Sequence, residues 1–499
     1  MDRYGKSCYT LDFGFSINMI HYKLDIYMFL VSVREQLERV LDRINQPDKI
    51  DDVLNNETRL GDGEIHALDL TGLEIHEIPS DTFLGLDHLH TLKITNTGLQ
   101  KIESGVFDSL KTLQTLELVK NDIQTLPDGI FDNLLQLHEL KLSENPIKHL
   151  SHAIFDNLKN LDRLFISFVN LPELPNLFKN LSALSQLKIY RNPIIVSQRE
   201  YSENARPKKD IVQRLPQSIF RGLDSLQYLD LSYLGMAELP NGIFDNLPEV
   251  IELNLSDNRL SYLPDAVFNK MSNLFTLDVS NNNLSDISSE IFAKQVNLRN
   301  LFLARNHISE LNSEIFSNLT KLNSLDLSHN QIEILSEDLF SALGELTLLN
   351  LSSNKLRTLP EDIFNNLQSL RILRLTDNDL DPVSDGLFDD LTNLEELTIA
   401  FNLLRTLPND IFVNLTNLQY LGLSGNKLTH LPDDIFANLS KLTRLELNKN
   451  DLARLPISLS NLSMLQRLYC SENQKLGDLN EQFEYSQMEK VFKLIKNQK

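Results

Sequence analysis

A pattern of apolar residues repeats every 24 residues through most of this 499-residue chain. Residues 418–442, LQYLGLSGNKLTHLPDDIFANLSKL, contain one complete period. The leucines that open five successive periods are Leu346, Leu370, Leu394, Leu418 and Leu442. A fixed period of this length indicates a solenoid, in which each unit buries its apolar side chains only against its neighbours.

Each period predicts a strand, a turn and a helical turn. Leu421 and Leu423 alternate with polar residues, which predicts a short strand in a parallel sheet. The amide of Asn426 can bond backbone groups that the following turn leaves unpaired. Phe436 recurs in the same place in each repeat and predicts a row of stacked rings under short helical or 3-10 turns. The fold class is therefore an α/β solenoid, a horseshoe with the sheet on its concave side and the turns on its convex side.

The pattern divides the chain into three predicted regions. Residues 1–60 hold an irregular leader and an amphipathic helix at 25–45, which we expect to cover the open first repeat. A helix that binds a partner is the alternative for this segment. Residues 61–480 form the solenoid of about 17 repeats. Residues 481–499 predict a closing helical cap.

One repeat is longer than the others. Leu184 to Leu226 spans 42 residues, which exceeds the period by 18. The excess near 197–212 is polar and carries four basic residues, Arg199, Arg206, Lys208 and Lys209. Insertions in solenoids become loops and often lie on the binding face. A loop without a function is the alternative, because long loops cost little stability.

Composition excludes several classes of partner. The net charge of −22 argues against nucleic acid or an anionic membrane surface as the main partner. We find no stretch of the roughly 18 apolar residues that a membrane span needs. The two cysteines, Cys8 and Cys470, do not make a disulfide framework.

Catalytic motifs are missing from the sequence. It contains no phosphate-binding glycine loop, HExxH, CxxC pair or nucleophile elbow. His66, His90 and His138 recur at one strand position, where we expect solvated surface rather than a zinc site. We therefore predict a protein that is not an enzyme and that uses no cofactor or metal.

Large aromatic residues occupy the concave face of the repeats around the insertion. The concave face is formed by the variable positions of each LxxLxLxx segment, because strand side chains alternate between two sides. The predicted ligand-binding residues there are Phe165, Phe168, Tyr190, Arg191, Tyr228, Tyr233, Phe275 and Phe302. Apolar rings left on a solvent face indicate a binding site. Lateral packing of the rings on one another is the alternative. A second group, Phe401, Tyr420 and Tyr469, is spread over distant repeats and is not predicted to form a site.

The unit LxxLxLxxNxLxxLPxxxFxxL resembles the "typical" class of leucine-rich repeat. It is similar to the repeats of Toll-like receptor ectodomains, lamprey variable lymphocyte receptors and chaoptin-like adhesion proteins. The resemblance implies extracellular recognition or adhesion. It favours a secreted or cell-surface location, and the cytoplasm is the alternative because the chain has no clear signal peptide and no cysteine-rich caps. Asn-x-Ser/Thr sequons such as that at Asn438 would make a secreted chain a candidate glycoprotein.

The primary functional hypothesis is a receptor-like scaffold that binds a protein or peptide on its concave face. One alternative is an adhesion or matrix protein that assembles laterally and has no discrete site. Another is a regulatory subunit of an enzyme complex. A homo-oligomer is compatible with the sequence but is not indicated by it.

Overall fold

The computed structural model describes residues 33–55, 59–61, 64–167, 176–190 and 215–496. The chain divides into two compact units, the first ending at Leu161 and the second beginning at Asp162. The leader and the 197–212 insertion lie outside the described residues. Both units are built from the predicted repeat.

The strand of one repeat shows how the sequence produces the sheet. In Arg444–Glu446 the central Leu445 is fully buried, while Arg444 and Glu446 on the concave face are partly exposed. Leu445 lies opposite Leu421 of the preceding strand, 24 residues earlier in the chain. Because identical positions stack in register, the leucines of all repeats in a unit form one continuous core. The predicted parallel-sheet solenoid is confirmed.

The first unit begins with helix α1 (33–43), which buries one apolar stripe, and with the short helix α2 (Ile50–Asn55) after a 3-10 helix at Pro47–Lys49. Strands β2, β4, β6 and β7 are parallel repeat strands, β1 pairs antiparallel with β2, and β3 pairs with β5. The strands are β1 (Arg59–Gly61), β2 (Glu64–Asp69), β3 (Glu77–Ile78), β4 (Thr91–Lys93), β5 (Lys101–Ile102), β6 (Thr115–Glu117) and β7 (Glu139–Leu142).

The second unit contains thirteen described parallel strands and one final antiparallel strand. The first seven are β8 (Arg163–Ser167), β9 (Gln186–Tyr190), β10 (Tyr228–Asp230), β11 (Glu252–Asn254), β12 (Thr276–Asp278), β13 (Asn300–Phe302) and β14 (Ser324–Asp326). The last seven are β15 (Leu348–Asn350), β16 (Ile372–Arg374), β17 (Glu396–Thr398), β18 (Tyr420–Gly422), β19 (Arg444–Glu446), β20 (Arg467–Tyr469) and β21 (Gln482–Glu484). Three 3-10 helices, Ile457–Asn461, Gln474–Leu479 and Tyr485–Gln487, lead to helix α3 (Met488–Lys496).

Helices α1 and α3 lie within the two segments predicted to form helical caps. Helix α1 contacts the first repeat through its Gln36 amide, which donates to Glu64 at 3.1 Å. Helix α3 buries Met488, Val491 and Ile495, and its last turn is basic as the helix dipole favours. The antiparallel strands β1 and β21 were not predicted, because three residues are too few to show a strand period.

An asparagine ladder joins consecutive repeats. The Asn354 side chain donates to the carbonyls of Leu327 and Leu351 at 3.0 and 3.1 Å, and its oxygen accepts the Ile332 amide at 3.1 Å. Twelve repeats from Asn121 to Asn473 bury this asparagine. The residue before it has positive φ, as at Ser353 (55°). The predicted role of the asparagine is confirmed.

The convex side consists of turns over a row of phenylalanines. The backbone amide of Ala437 donates to the carbonyl of Asp434, and that of Leu439 donates to the carbonyl of Phe436. Bonds between residues three apart are the 3-10 pattern expected there. Phe244 is fully buried and stacks between Phe220 and Phe268 with ring centroids 6.1 and 6.3 Å away.

The long repeat does not interrupt the sheet. Strand β9 pairs directly with β10, so Lys188 lies opposite Asp230 although 42 residues separate them. Residues Leu184 and Leu226, which bracket the insertion, are both fully buried. None of the helices in the described part of the chain is long and apolar enough to cross a bilayer.

Candidate functional site

Two rows of side chains cover the concave face of the second unit. Each row consists of residues that flank the buried leucine on successive strands. The strands pair without any shift in register, so residues at the same position of each repeat lie side by side. One row follows Tyr228 and contains Glu252, Thr276 and Asn300. The other contains, in spatial order, Phe165, Lys188, Asp230, Asn254, Asp278 and Phe302.

Four predicted residues lie on the concave side of strands β10 to β13 or in the segments directly beside these strands. We call Tyr228, Tyr233, Phe275 and Phe302 the aromatic patch. Tyr233 is 62% exposed and Phe275 is 42% exposed, while Tyr228 and Phe302 are half-buried. Among the described residues, no ring of the patch stacks on another ring of the patch. A shallow depression of about 270 Å³ lies between Tyr228 and Phe302.

Tyr233 stands in an unfavourable backbone conformation. Its φ is 59°, in the left-handed region that small or amide residues adopt most cheaply. Other repeats place residues of many types at this position with the same positive φ, among them Asn281, Arg305 and Phe401. The conformation therefore belongs to the repeat, and it is the exposure of the Tyr233 ring that favours a role on the surface.

The structure does not unite the other predicted site residues with the patch. Phe165 lies on β8, two strand spacings or about 10 Å from the strand of Tyr228, and the Lys188–Asp230 ion pair stands between these two strands. Tyr190 ends β9, where the structure describes its backbone only. The remaining predictions, Phe168, Arg191, Arg199, Arg206, Lys208 and Lys209, lie outside the described residues.

Two ion pairs lie beside the patch, and one of them contacts a ring of the patch. Lys188 pairs with Asp230 at 2.6 Å. The Arg299 guanidinium lies 5.8 Å from the centre of the Phe275 ring and pairs with Glu345 at 3.2 Å. Cation–π contact and the ion pair hold this arginine over one ring face, so the Phe275 ring is oriented before any ligand arrives.

A second concave group is more compact than the sequence indicated. The Arg444 guanidinium lies 4.7 Å from the Tyr420 ring centre and 5.3 Å from that of Tyr469, and its Nε donates to Glu446 at 2.8 Å. The two tyrosines are therefore neighbours of one arginine on β18 to β20, not separate surface residues. Lys449 lies 5.9 Å from the ring centre of Phe401 in the same region.

Glycines make room for these rings. A Cβ on Gly425 would lie 2.5 Å from the Phe401 ring, and one on Gly422 would lie 3.3 Å from the Tyr420 hydroxyl. Sequence reasoning missed Arg444 and both glycines. The signal that could have found them is the presence of two glycines on the concave positions of one repeat.

Tyr420 is expected to titrate well above the ordinary pKa of a tyrosine. Burial and then the Glu446 carboxylate raise the pKa of Tyr420 to about 12, although Arg444 opposes the shift. Because the folded state holds this proton more tightly, Tyr420 favours folding below pH 10 and loses that contribution as the pH rises from 10 to 12. Absorbance at 295 nm during an alkaline titration should show a late step that Tyr420→Phe removes. A titration curve unchanged by Tyr420→Phe would contradict the prediction.

Two stacked histidines and a buried cysteine are further titratable groups among the described residues. The rings of His66 and His90 stack at 5.2 Å, with their Nδ1 atoms 3.2 Å apart. Cys470 is buried without a disulfide, and burial raises the pKa of its thiol. In the described ranges, no group of three or more His, Cys, Asp or Glu side chains has metal-binding geometry.

Known structures share this fold. A leucine-rich repeat protein of Leptospira interrogans is 27% identical, with a TM-score of 0.64 over 77% of this chain and 90% of that one. Toll of Drosophila, solved in complex with Spätzle, is 23% identical, with a TM-score of 0.65 over 83% of this chain and 59% of that one. No curated protein matches the chain.

A family model described as "Leucine rich repeat" matches more than half of the chain. The matched segments are 64–123, 111–171, 210–260, 235–284, 248–308, 296–356, 345–404, 368–428 and 417–474. Proteins of this family are typically non-enzymatic binding scaffolds. The repeat pattern, the parallel sheet and the asparagine ladder agree with that match, and the chain belongs to the leucine-rich repeat family.

Proposed function

We propose that this chain is a receptor-like recognition protein that binds a protein or peptide on its concave face, through the aromatic patch. The observation that carries the proposal is the set of four large rings, two exposed and two half-buried, on the concave side of the four repeats from β10 to β13. Exposed aromatic rings cost hydration free energy unless a partner covers them, and such rings dominate the energy of protein interfaces. The similarity to Toll, which was solved with a bound protein, supports the same kind of ligand.

The patch also has the rigidity that a binding surface needs. Tyr228 and Phe302 stand on strands that are hydrogen-bonded in register with their neighbours, whereas Phe275 directly precedes β12 and Tyr233 lies in the turn after β10. Because the sheet already orders the backbone under Tyr228 and Phe302, binding a ligand there costs little ordering of the receptor. Lateral assembly and a role as the regulatory subunit of an enzyme complex are the alternatives. Each predicts a different response to mutation of the aromatic patch.

The triple variant Tyr233→Ala, Phe275→Ala, Phe302→Ala is expected to lose at least about tenfold in partner affinity. The measurement is quantitative capture of partners from the native source, followed by titration of each purified partner. The control is Tyr262→Ala, Ile334→Ala, Val413→Ala, which removes exposed apolar side chains from the same unit outside the patch. If both variants and the unaltered chain captured the same partners equally well, the aromatic patch would not be the binding site. Self-association that survives the patch variant would support lateral assembly instead.

A further inference from the structure

Carboxylates lie at the centre of the aromatic patch. Asp230 and Asp278 occupy the same position on β10 and β12, and Asp257 follows the strand between them. Lys188 neutralises Asp230. Among the described residues, no salt bridge reaches Asp257 or Asp278.

Asp257 and Asp278 accept hydrogen bonds from neighbouring residues through some of their carboxylate oxygens. One oxygen of Asp278 accepts the Ser280 amide at 2.9 Å and its hydroxyl at 2.6 Å. Asp257 accepts hydrogen bonds from the Asn281 amide and from the Tyr233 hydroxyl. Neutral donors orient the carboxylates without cancelling their charge, so the negative charge remains on the surface.

The titration behaviour of the group agrees with this geometry. Burial raises the pKa of Asp278, and repulsion from Asp257 and Asp230 raises it further, against the hydrogen bonds from Ser280. Burial and the bond to Asp257 likewise raise the pKa of Tyr233. The part of each shift that comes from neighbouring carboxylates indicates a negative potential between the rings, which an added positive charge would relieve.

We infer that the aromatic patch takes a segment of a protein partner that carries lysine or arginine side chains. The inference rests on the proposed function and names the chemistry of its ligand. A cationic side chain placed beside Tyr233 would meet a ring face and the carboxylates of Asp257 and Asp278 together, and its aliphatic stem would cover Phe302 or Tyr228. An acidic segment would be repelled by the same groups.

The test is selection of a phage-displayed library of random 12-residue peptides against the full chain. We expect enriched peptides to carry two or more Lys or Arg residues, and the affinity of the best synthetic peptide to fall as NaCl rises from 50 to 500 mM. Asp257→Asn with Asp278→Asn should weaken that peptide about tenfold. Asparagine keeps the side-chain oxygen that accepts the local hydrogen bonds, so the variant should remain folded.

A matched control is needed because a chain of net charge −22 attracts any basic peptide. The control distinguishes the effect of charge in the patch on affinity from the effect of the total charge of the chain. Asp410→Asn with Asp434→Asn removes the same charge from exposed convex positions and should change the affinity by less than twofold. An equal loss in both variants would overturn the inference.

The same selection separates the inference from the proposed function. Neutral or acidic peptides that bind the chain but not the Tyr233, Phe275 and Phe302 alanine variant would overturn the basic-ligand inference and leave the proposed function standing. Basic peptides whose binding is unaffected by that alanine variant would overturn both.

Discussion

Replacing Phe244 with alanine is expected to destabilise the second unit by about 3–5 kcal/mol. The side chain is fully buried and stacks between Phe220 and Phe268, so alanine leaves a cavity bounded by two rings that belong to different repeats. Because repeats contact mainly their neighbours, we expect the loss to be local. Hydrogen exchange should accelerate in residues 220–268 far more than near residue 436.

Phe244→Leu provides the matched control for that prediction. Leucine retains most of the volume and should cost about 1 kcal/mol. Urea unfolding followed by hydrogen exchange of each repeat compares the variants without assuming a two-state transition, which long repeat arrays need not follow. An alanine variant as stable as the leucine variant would show that the phenylalanine row does not hold the repeats together.

Replacing Asn354 with alanine is expected to cost about 3 kcal/mol. The substitution leaves the buried Ile332 amide and the carbonyls of Leu327 and Leu351 without the partner they have in the folded chain. Alanine offers no hydrogen-bonding group in place of the amide. Water can reach the unpaired backbone groups only if the repeats separate. Denaturation monitored by hydrogen exchange across residues 330–356 measures the effect.

Two comparisons sharpen the asparagine prediction. Asn354→Asp keeps an acceptor for the Ile332 amide but removes the donor and places charge against two carbonyls, so it should be no more stable than Asn354→Ala. Asn393 is exposed and donates one bond to the Gln368 carbonyl at 2.9 Å, and its replacement by alanine should cost less than about 1 kcal/mol. Equal costs at Asn354 and Asn393 would contradict the role of the ladder.

The sequence predicts the fold because its information is periodic. The spacing from Leu418 to Leu442 determines the strand register, and the asparagine and phenylalanine of each unit predict the ladder and the ring row. The positions of Tyr228, Tyr233, Phe275 and Phe302 on one face also follow from the period, because strands β8 to β20 all begin at the same place in their repeats.

Side-chain direction does not follow from the period. Arg444 contacts Tyr420 from the same row and Tyr469 from the next one, a diagonal arrangement that depends on rotamers and on the space left by Gly422. The ion pair between Lys188 and Asp230 also depends on side-chain direction, although the step of 42 residues from Leu184 to Leu226 places both residues at the same position of neighbouring repeats. Position within a repeat can be predicted from spacing, whereas the partner of a charged side chain cannot.

Strand β21 has a consequence for how copies of this protein meet. A stack of identical parallel strands exposes at its end the same hydrogen-bonding edge that each earlier repeat offered to its successor, so another copy could extend it head to tail into a fibre. Here β21 reverses direction and pairs with that edge, and its Glu484 lies 3.7 Å from Arg467. The reversal interrupts the regular stacking of parallel strands. This end of the second unit therefore does not offer another copy the edge that it would need to extend the stack.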